Sequence, residues 1–134
     1  MIITPDGKFL FTSSNDKNFK QWIIKTNKLY KEYKEAHKDS IKCMAISNDG
    51  KFLYTGSEDC ELKQWNIEEG IVEHNFGKVH NRGVKQLLLT PDGQYLITSG
   101  GDKIMKQWCL QENILSWDYG EIHDTNIQSM ILIS

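Results

Sequence analysis

The sequence has few of the features that mark secreted, membrane-spanning or nucleic-acid-binding proteins. Its three cysteines are odd in number and form no C-x-x-C pair, which argues against a disulfide framework and predicts reduced thiols of a cytoplasmic or nuclear protein. No stretch approaches the roughly 18 apolar residues of a membrane span, and the N-terminus turns polar by Asp6, so we expect neither a membrane segment nor a signal peptide. The net charge of −2, with both signs interspersed, gives no reason to expect a nucleic-acid or membrane partner.

Sequence motifs for catalysis or cofactor binding are also missing. No G-x-x-x-x-G-K-[ST] loop is present, and Arg82 is the sole arginine. The histidines show neither H-x-x-x-H spacing nor a nearby cysteine pair; they are His37, His74, His80 and His123. No segment has the periodicity of a useful amphipathic helix. We therefore expect no metal, no cofactor and an all-β fold.

What the sequence does contain is a repeat with a step of 43 residues. The segments D-K-N-F-K-Q-W, D-C-E-L-K-Q-W and D-K-I-M-K-Q-W end at Trp22, Trp65 and Trp108. The same step relates three histidines and three Asp-Gly pairs, which are His37, His80 and His123, and the pairs that begin at Asp6, Asp49 and Asp92. A fixed period of this length is typical of propeller and solenoid arrays.

Each repeat carries short runs of branched and aromatic residues that Asp, Gly and Asn residues separate, which predicts an antiparallel meander. The middle repeat has four predicted strands, at 41–47, 51–57, 61–67 and 71–76. The third has four more, at 84–90, 94–100, 104–110 and 114–119. The first repeat begins with the tail of a strand at 1–3 and continues at 8–14, 19–24 and 29–35. A lone first strand is predicted at 127–134.

Together these residues resemble the WD-repeat β-propeller family, whose pattern is a histidine, a D-G turn, a Ser or Thr, an Asp and a Trp six residues later. The matching residues are His37, Thr55, Asp59 and Trp65 in the middle repeat, His80, Thr98, Asp102 and Trp108 in the third, and Thr12, Asp16 and Trp22 in the first. The resemblance implies an all-β fold of four-stranded antiparallel propeller blades, either a partial propeller of about three blades or part of a larger or oligomeric one. It implies one segment, 1–134, with blades near 1–36, 41–77 and 84–120 and a lone strand at 127–134.

The resemblance also implies that each set of residues forms a buried relay of hydrogen bonds from Trp to Thr to His to Asp. A hydroxyl–imidazole–carboxylate group could be mistaken for a catalytic triad, but recurrence in successive blades favours an architectural role. The family's name-giving aspartate is missing after all three tryptophans. Glutamine precedes each of them, at Gln21, Gln64 and Gln107, where an apolar residue is usual, and a hydrogen-bonded stack between blades is one hypothesis for these side chains.

The resemblance implies a non-catalytic scaffold that binds a partner protein or peptide through one propeller face. The expected contact residues follow the histidine or flank the turn aspartate, and they are Lys38, Asp39, Asn81, Arg82, Asp124, Asn15, Lys17, Glu58 and Lys103. The alternatives are an enzyme, a modified-peptide reader subunit and a truncated fragment without independent function. One further hypothesis is a homodimer that closes a six-bladed ring, in which strand 127–134 completes the partner's first blade.

Overall fold

The computed structural model describes residues 1–13 and 15–121, and this part of the chain contains β-strands and no helix. The strands are β1 Ile2–Ile3, β2 Phe9–Ser13, β3 Phe19–Ile23, β4 Lys28–Tyr33, β5 Ile41–Ile46, β6 Phe52–Ser57, β7 Glu61–Asn66, β8 Ile71–Lys78, β9 Val84–Leu89, β10 Tyr95–Gly100, β11 Ile104–Cys109 and β12 Ile114–Glu121. Within these residues, no helix long and apolar enough to cross a membrane is found.

The strands form three four-stranded antiparallel sheets, each with its strands in chain order. The first sheet is β1 to β4, the second β5 to β8 and the third β9 to β12. The predicted all-β class with propeller-like blades is confirmed. The strand predicted at 127–134 lies outside the described residues.

Strands β8 and β12 run two residues beyond their predicted ends because each contains a glycine bulge. In the second sheet, Gly77 lies opposite Leu62 while Asn75 lies opposite Lys63, so Phe76 is an extra residue. Gly77 has a φ of 77°, which a glycine adopts without steric cost. The first repeat has Lys34 at the position of Gly77, and β4 ends at Tyr33, two residues before its predicted end.

The hydrophobic core lies between neighbouring sheets. Phe11, Phe19 and Tyr33 of the first sheet pack with Leu53 and Trp65 of the second. A second cluster, between the second and third sheets, is built largely from the residues 43 positions later, among them Tyr54, Leu62, Leu96 and Trp108. The first and third sheets therefore each bury one face against the second sheet, and the period of the sequence sets the composition of both cores.

In the first Asp-Gly turn, the cost of backbone strain can be measured without a change in packing. Gly7 has a φ of 72°, and a Cβ added there would meet nothing within 4 Å. We expect Gly7→Ala to lower the free energy of unfolding by about 1 kcal/mol, because a side chain disfavours this left-handed conformation. Gly7→Asn should cost less, because asparagine tolerates it. Urea titrations measure both, and an equal cost for the two variants would contradict the strain argument.

Candidate functional site

The relay of the second sheet is a continuous chain of hydrogen bonds. Trp65 Nε1 donates to Thr55 Oγ1 at 2.9 Å, Thr55 Oγ1 lies 2.7 Å from His37 Nε2, and His37 Nδ1 lies 2.9 Å from Asp59 Oδ2. Because indole N–H only donates and carboxylate only accepts, a neutral imidazole satisfies the chain in one arrangement. The hydroxyl donates to Nε2, and the Nδ1 proton is donated to Asp59.

The third sheet repeats this geometry. Trp108 Nε1 donates to Thr98 Oγ1 at 3.1 Å, the hydroxyl lies 2.8 Å from His80 Nε2, and His80 Nδ1 lies 3.0 Å from Asp102 Oδ1. In the first sheet, Trp22 Nε1 donates to Thr12 Oγ1 at 3.0 Å. There, Asp16 Oδ1 accepts a hydrogen bond from the backbone N–H of Asn18 at 3.2 Å.

Burial and hydrogen bonding set the charges within the relays. Burial alone would raise the pKa of Asp59, but hydrogen bonds from His37 and from the Glu61 and Lys38 amides lower it to about 2. Burial lowers the pKa of His80 and outweighs the attraction of Asp102, so the imidazole stays neutral at pH 7. In the third sheet the relay therefore combines the ionised Asp102 carboxylate with a neutral His80 ring.

The relay hydroxyls are not accessible to a substrate. The exposed fraction of Thr55 and of Thr98 is 0%, and that of His37 is 1%. A nucleophile must reach the reacting atom, whereas the Thr55 hydroxyl is buried and already hydrogen-bonded to Trp65 Nε1 and His37 Nε2. The triad-like composition therefore describes an internal structural tie.

One group of possible metal ligands occurs among the described residues. Single ligand atoms of His37, Asp59 and Glu61 lie within 4.8 Å of one another. However, His37 Nδ1 is hydrogen-bonded to Asp59, and Glu61 lies 3.7 Å from Lys63 Nζ. The donor atoms are already partnered, so the geometry does not favour a metal site.

The relay carboxylates also hold the backbone of the neighbouring loops. Asp59 Oδ2 accepts a hydrogen bond from the backbone N–H of Lys38 at 2.8 Å, and Asp102 Oδ2 accepts one from the backbone N–H of Asn81 at 3.0 Å. On the same loops, Lys63 Nζ donates to the Ala36 carbonyl at 2.7 Å. Lys106 and Val79 repeat this contact at 2.7 Å in the third sheet. The residues on both sides of His37 and of His80 are thus held by half-buried side chains.

Most of the predicted contact residues lie along one edge of the three sheets, which we call the corner edge. It comprises the β2–β3, β6–β7 and β10–β11 turns and the β4–β5 and β8–β9 loops. The exposed members are Asn15, Lys17, Lys38, Asp39, Asn81 and Arg82, whereas Glu58 and Lys103 are half-buried. Asp124 lies outside the described residues.

Sequence reasoning missed two lysines at this edge. Lys42 Nζ donates to Asn15 Oδ1 at 3.4 Å, and Lys85 Nζ pairs with the Glu58 carboxylate. Lys42 follows the first residue of β5 and Lys85 follows the first residue of β9. The step of 43 residues between them is the signal that could have identified them. At the third sheet, a cleft of about 250 Å³ includes Asn81, Arg82 and Lys103 in its lining.

The three glutamines bond within their own sheets, so the hypothesis of a stack between blades was wrong. Gln21 Oε1 accepts the Tyr33 hydroxyl at 3.1 Å, and Gln107 Oε1 accepts the Tyr119 hydroxyl at 3.0 Å. In the second sheet, Gln64 Nε2 donates to the Tyr54 hydroxyl at 3.4 Å. Phe76 replaces the tyrosine there, so Gln64 Oε1 is buried without a hydrogen-bond partner.

Phe76→Tyr should supply the missing donor and raise the free energy of unfolding by about 1 kcal/mol, the usual contribution of one hydrogen bond. Denaturant titration measures the change. The control is the same substitution in a Gln64→Leu background, where no acceptor remains and the gain should disappear. A gain of equal size in both backgrounds would show that the hydroxyl does not act through Gln64.

Thr55→Ala removes the central atom of the relay, so Trp65 and His37 each lose a buried partner. We expect a loss of about 1–3 kcal/mol in the free energy of unfolding. Thr55→Ser keeps the hydroxyl and should retain most of the stability. If urea titration gave the two variants the same stability, the methyl group rather than the relay would account for the loss.

The lowered pKa of His80 gives stability a defined pH dependence. As pH falls below the unfolded-state pKa of about 6.5, the unfolded chain binds a proton that the folded chain does not, so stability decreases. His80→Gln should reduce the slope of unfolding free energy against pH between pH 5 and 7. The carboxylates with lowered pKa add a second loss below about pH 4, which this variant should retain. An unchanged slope would mean that His80 titrates equally in both states.

Comparisons with known proteins agree with this geometry. The family model described as "WD domain, G-beta repeat" matches residues 1–22, 27–66 and 73–109. The solved structure titled "Crystal structure of RRP9 WD40 repeats" is 23% identical with a TM-score of 0.86, and the match covers 93% of this chain and 38% of that one. "Structure of U3-55K" is 23% identical with a TM-score of 0.85 and coverages of 93% and 39%.

The chain therefore spans less than half the length of either solved structure, and at this identity the likeness shows the fold. No match was found among curated protein sequences. Because the family model covers most of the chain in three successive segments, the chain belongs to the WD domain, G-beta repeat family.

Proposed function

We propose that this chain is a non-catalytic interaction scaffold that binds a partner protein or peptide at the corner edge. The observation that carries the proposal is the pair of hydrogen bonds from the Lys38 and Asn81 amides to the relay carboxylates. These bonds fix exposed side chains on backbone that is already ordered. Binding to pre-positioned loops avoids much of the entropy that flexible loops lose.

The polar lining of the cleft at the corner edge supports the same proposal. The cleft lined by Asn81, Arg82, Lys103 and Glu121 combines positive charge with an acceptor at its rim. Such mixed polar rims fit a protein surface better than a small apolar ligand. The WD domain fold itself serves many interaction scaffolds, which makes this the function that the family favours.

A modified-peptide reader is the alternative from another class. An aromatic cage needs several exposed rings. The described corner-edge turns and loops, at 15–18, 34–40, 58–60, 79–83 and 101–103, contain no Phe, Tyr or Trp.

The proposal also assigns the protein to a reducing compartment, the cytoplasm or the nucleus, because Cys43, Cys60 and Cys109 are free thiols.

A pull-down from cell extract with immobilised chain tests the scaffold. The double variant Lys38→Glu with Arg82→Glu should lose those retained proteins that bind at the corner edge. Lys25→Glu with Lys28→Glu changes the same charge at the opposite edge and should retain them. If the first variant kept every partner, or if both variants lost the same partners, the corner edge would not be the binding surface.

We also propose that two copies close a six-bladed ring. Thr12, Asp16 and Trp22 line a cavity of about 150 Å³ at the position that corresponds to His37 in the second sheet. The step that relates His37 to His80 extends to His123, so the His123 of a second copy has the register to enter this cavity. Light scattering should then give twice the chain mass of 15.5 kDa. A folded monomer at micromolar concentration would contradict the ring.

A further inference from the structure

A second candidate binding site lies on the opposite edge of the sheets, which we call the turn edge. This edge comprises the β1–β2, β3–β4, β5–β6, β7–β8, β9–β10 and β11–β12 turns. Between its first two sheets is a cleft of about 580 Å³, the turn-edge cleft. Its lining includes Pro5, Asp6, Gln21, Tyr30, Asp49 and Glu68.

One substitution within the repeat explains why the cleft is open. In the second repeat, Asn48 Nδ2 donates to the Pro91 carbonyl at 2.7 Å and ties the turns of the second and third sheets together. The first repeat has Pro5 at the position of Asn48, and a proline side chain has no donor. The first and second sheets therefore lack the corresponding tie.

A buried polar group faces the cleft without a partner. The exposed fraction of Gln21 is 2%, and its side chain contributes to the cleft lining. Its Oε1 accepts from Tyr33, but its Nε2 makes no hydrogen bond to any residue of the described ranges. In the second repeat, Gln64 Nε2 donates to the Tyr54 hydroxyl at 3.4 Å, whereas the first repeat has Phe11 there. The structure thus leaves an amide donor available to a ligand.

The rim of the cleft is acidic and has an aromatic wall. Hydrogen bonds from Thr4 and Ser47 are the main cause of the lowered pKa of Asp6 and of Asp49, so both are ionised at neutral pH. Glu68 adds a third carboxylate to the lining. Tyr30 is 59% exposed, and its ring lies edge-on to Phe9 at 5.2 Å between centroids.

Carboxylates and an exposed aromatic ring attract the same class of group, a lysine or arginine side chain. Lys51 is the single cation in the lining and leaves a negative excess. The Gln21 Nε2 group, which donates to none of the described residues, matches a peptide carbonyl, which every peptide carries. The carboxylates, the Tyr30 ring and the Gln21 amide therefore all favour the same ligand, a peptide with a basic side chain.

We propose that the turn-edge cleft binds a basic peptide segment of a partner protein. A lysine or arginine side chain lies among Asp6, Asp49, Glu68 and the Tyr30 ring, and a peptide carbonyl accepts from Gln21 Nε2. This site is separate from the corner edge, so one scaffold chain can hold two partners at once.

Fluorescence anisotropy with the 134-residue chain tests the site, using a labelled Gly-Ser peptide that contains lysine and arginine and a matched peptide with glutamate at those positions. The basic peptide should bind, with an affinity that falls as salt rises, and the acidic peptide should not. Glu68→Lys and Tyr30→Ala should each weaken binding about three- to tenfold.

The repeat supplies matched controls at the corresponding positions of the next sheet. Gln111→Lys corresponds to Glu68→Lys, and Glu73→Ala corresponds to Tyr30→Ala, so both controls should bind as the unmodified chain does. Circular dichroism verifies that all four variants are folded. Equal weakening by Glu68→Lys and Gln111→Lys would show general charge attraction and overturn the site.

Pro5→Asn tests the structural reason directly. The introduced side-chain amide can donate to the Asn48 carbonyl as Asn48 donates to the Pro91 carbonyl. This hydrogen bond should close the cleft and weaken the binding of the basic peptide. Unchanged affinity in this variant would contradict the role assigned to Pro5. The Lys38→Glu, Arg82→Glu double variant should bind the basic peptide normally, which separates this proposal from the one for the corner edge.

Discussion

The hydrogen bond between a threonine hydroxyl and a histidine ring is the contact on which the rest of the structure depends. Through Thr55 it links strand β6 to the loop before β5, and the same hydroxyl holds Trp65 on β7. The Trp65 ring in turn packs against Phe19 of the preceding sheet, with 5.0 Å between ring centroids. The Trp65 indole therefore takes part both in the hydrogen bonds within its own sheet and in the apolar packing against the preceding sheet. This double role couples the folding of one blade to that of its neighbour.

The departures from the repeat give the molecule its particular surface. An identical set of repeats would present the same turns and closures between every pair of sheets. Here Pro5 stands where the next repeat has Asn48, and Phe11 where it has Tyr54, so the first two sheets are joined differently from the second and third. In a repeat protein the regular positions maintain the fold, and the irregular positions are where a specific partner can be distinguished.

Much of the fold could be predicted from the sequence because a 43-residue step fixes strand order, turn positions and the composition of the cores. The details that escaped prediction depend on side chains that meet only after folding. Gln21 bonds to Tyr33, twelve residues away across a strand pair with a register shift, and the pattern of the sequence does not show that contact. The turn-edge cleft was missed for the same reason, since it follows from a tie at Asn48 that the first repeat lacks.

The tautomer of the relay histidines tests the account most directly. The relay requires the proton on Nδ1, where it is donated to Asp59 or Asp102, and an unprotonated Nε2 that accepts a hydrogen bond from threonine. Long-range ¹H–¹⁵N correlation spectra of the ¹⁵N-labelled chain at pH 7 distinguish the two ring nitrogens of His37 and His80. Two neutral rings protonated at Nδ1 are the predicted result. Nε2-protonated tautomers, or rings that exchange freely between the two forms, would contradict a relay that holds each blade together.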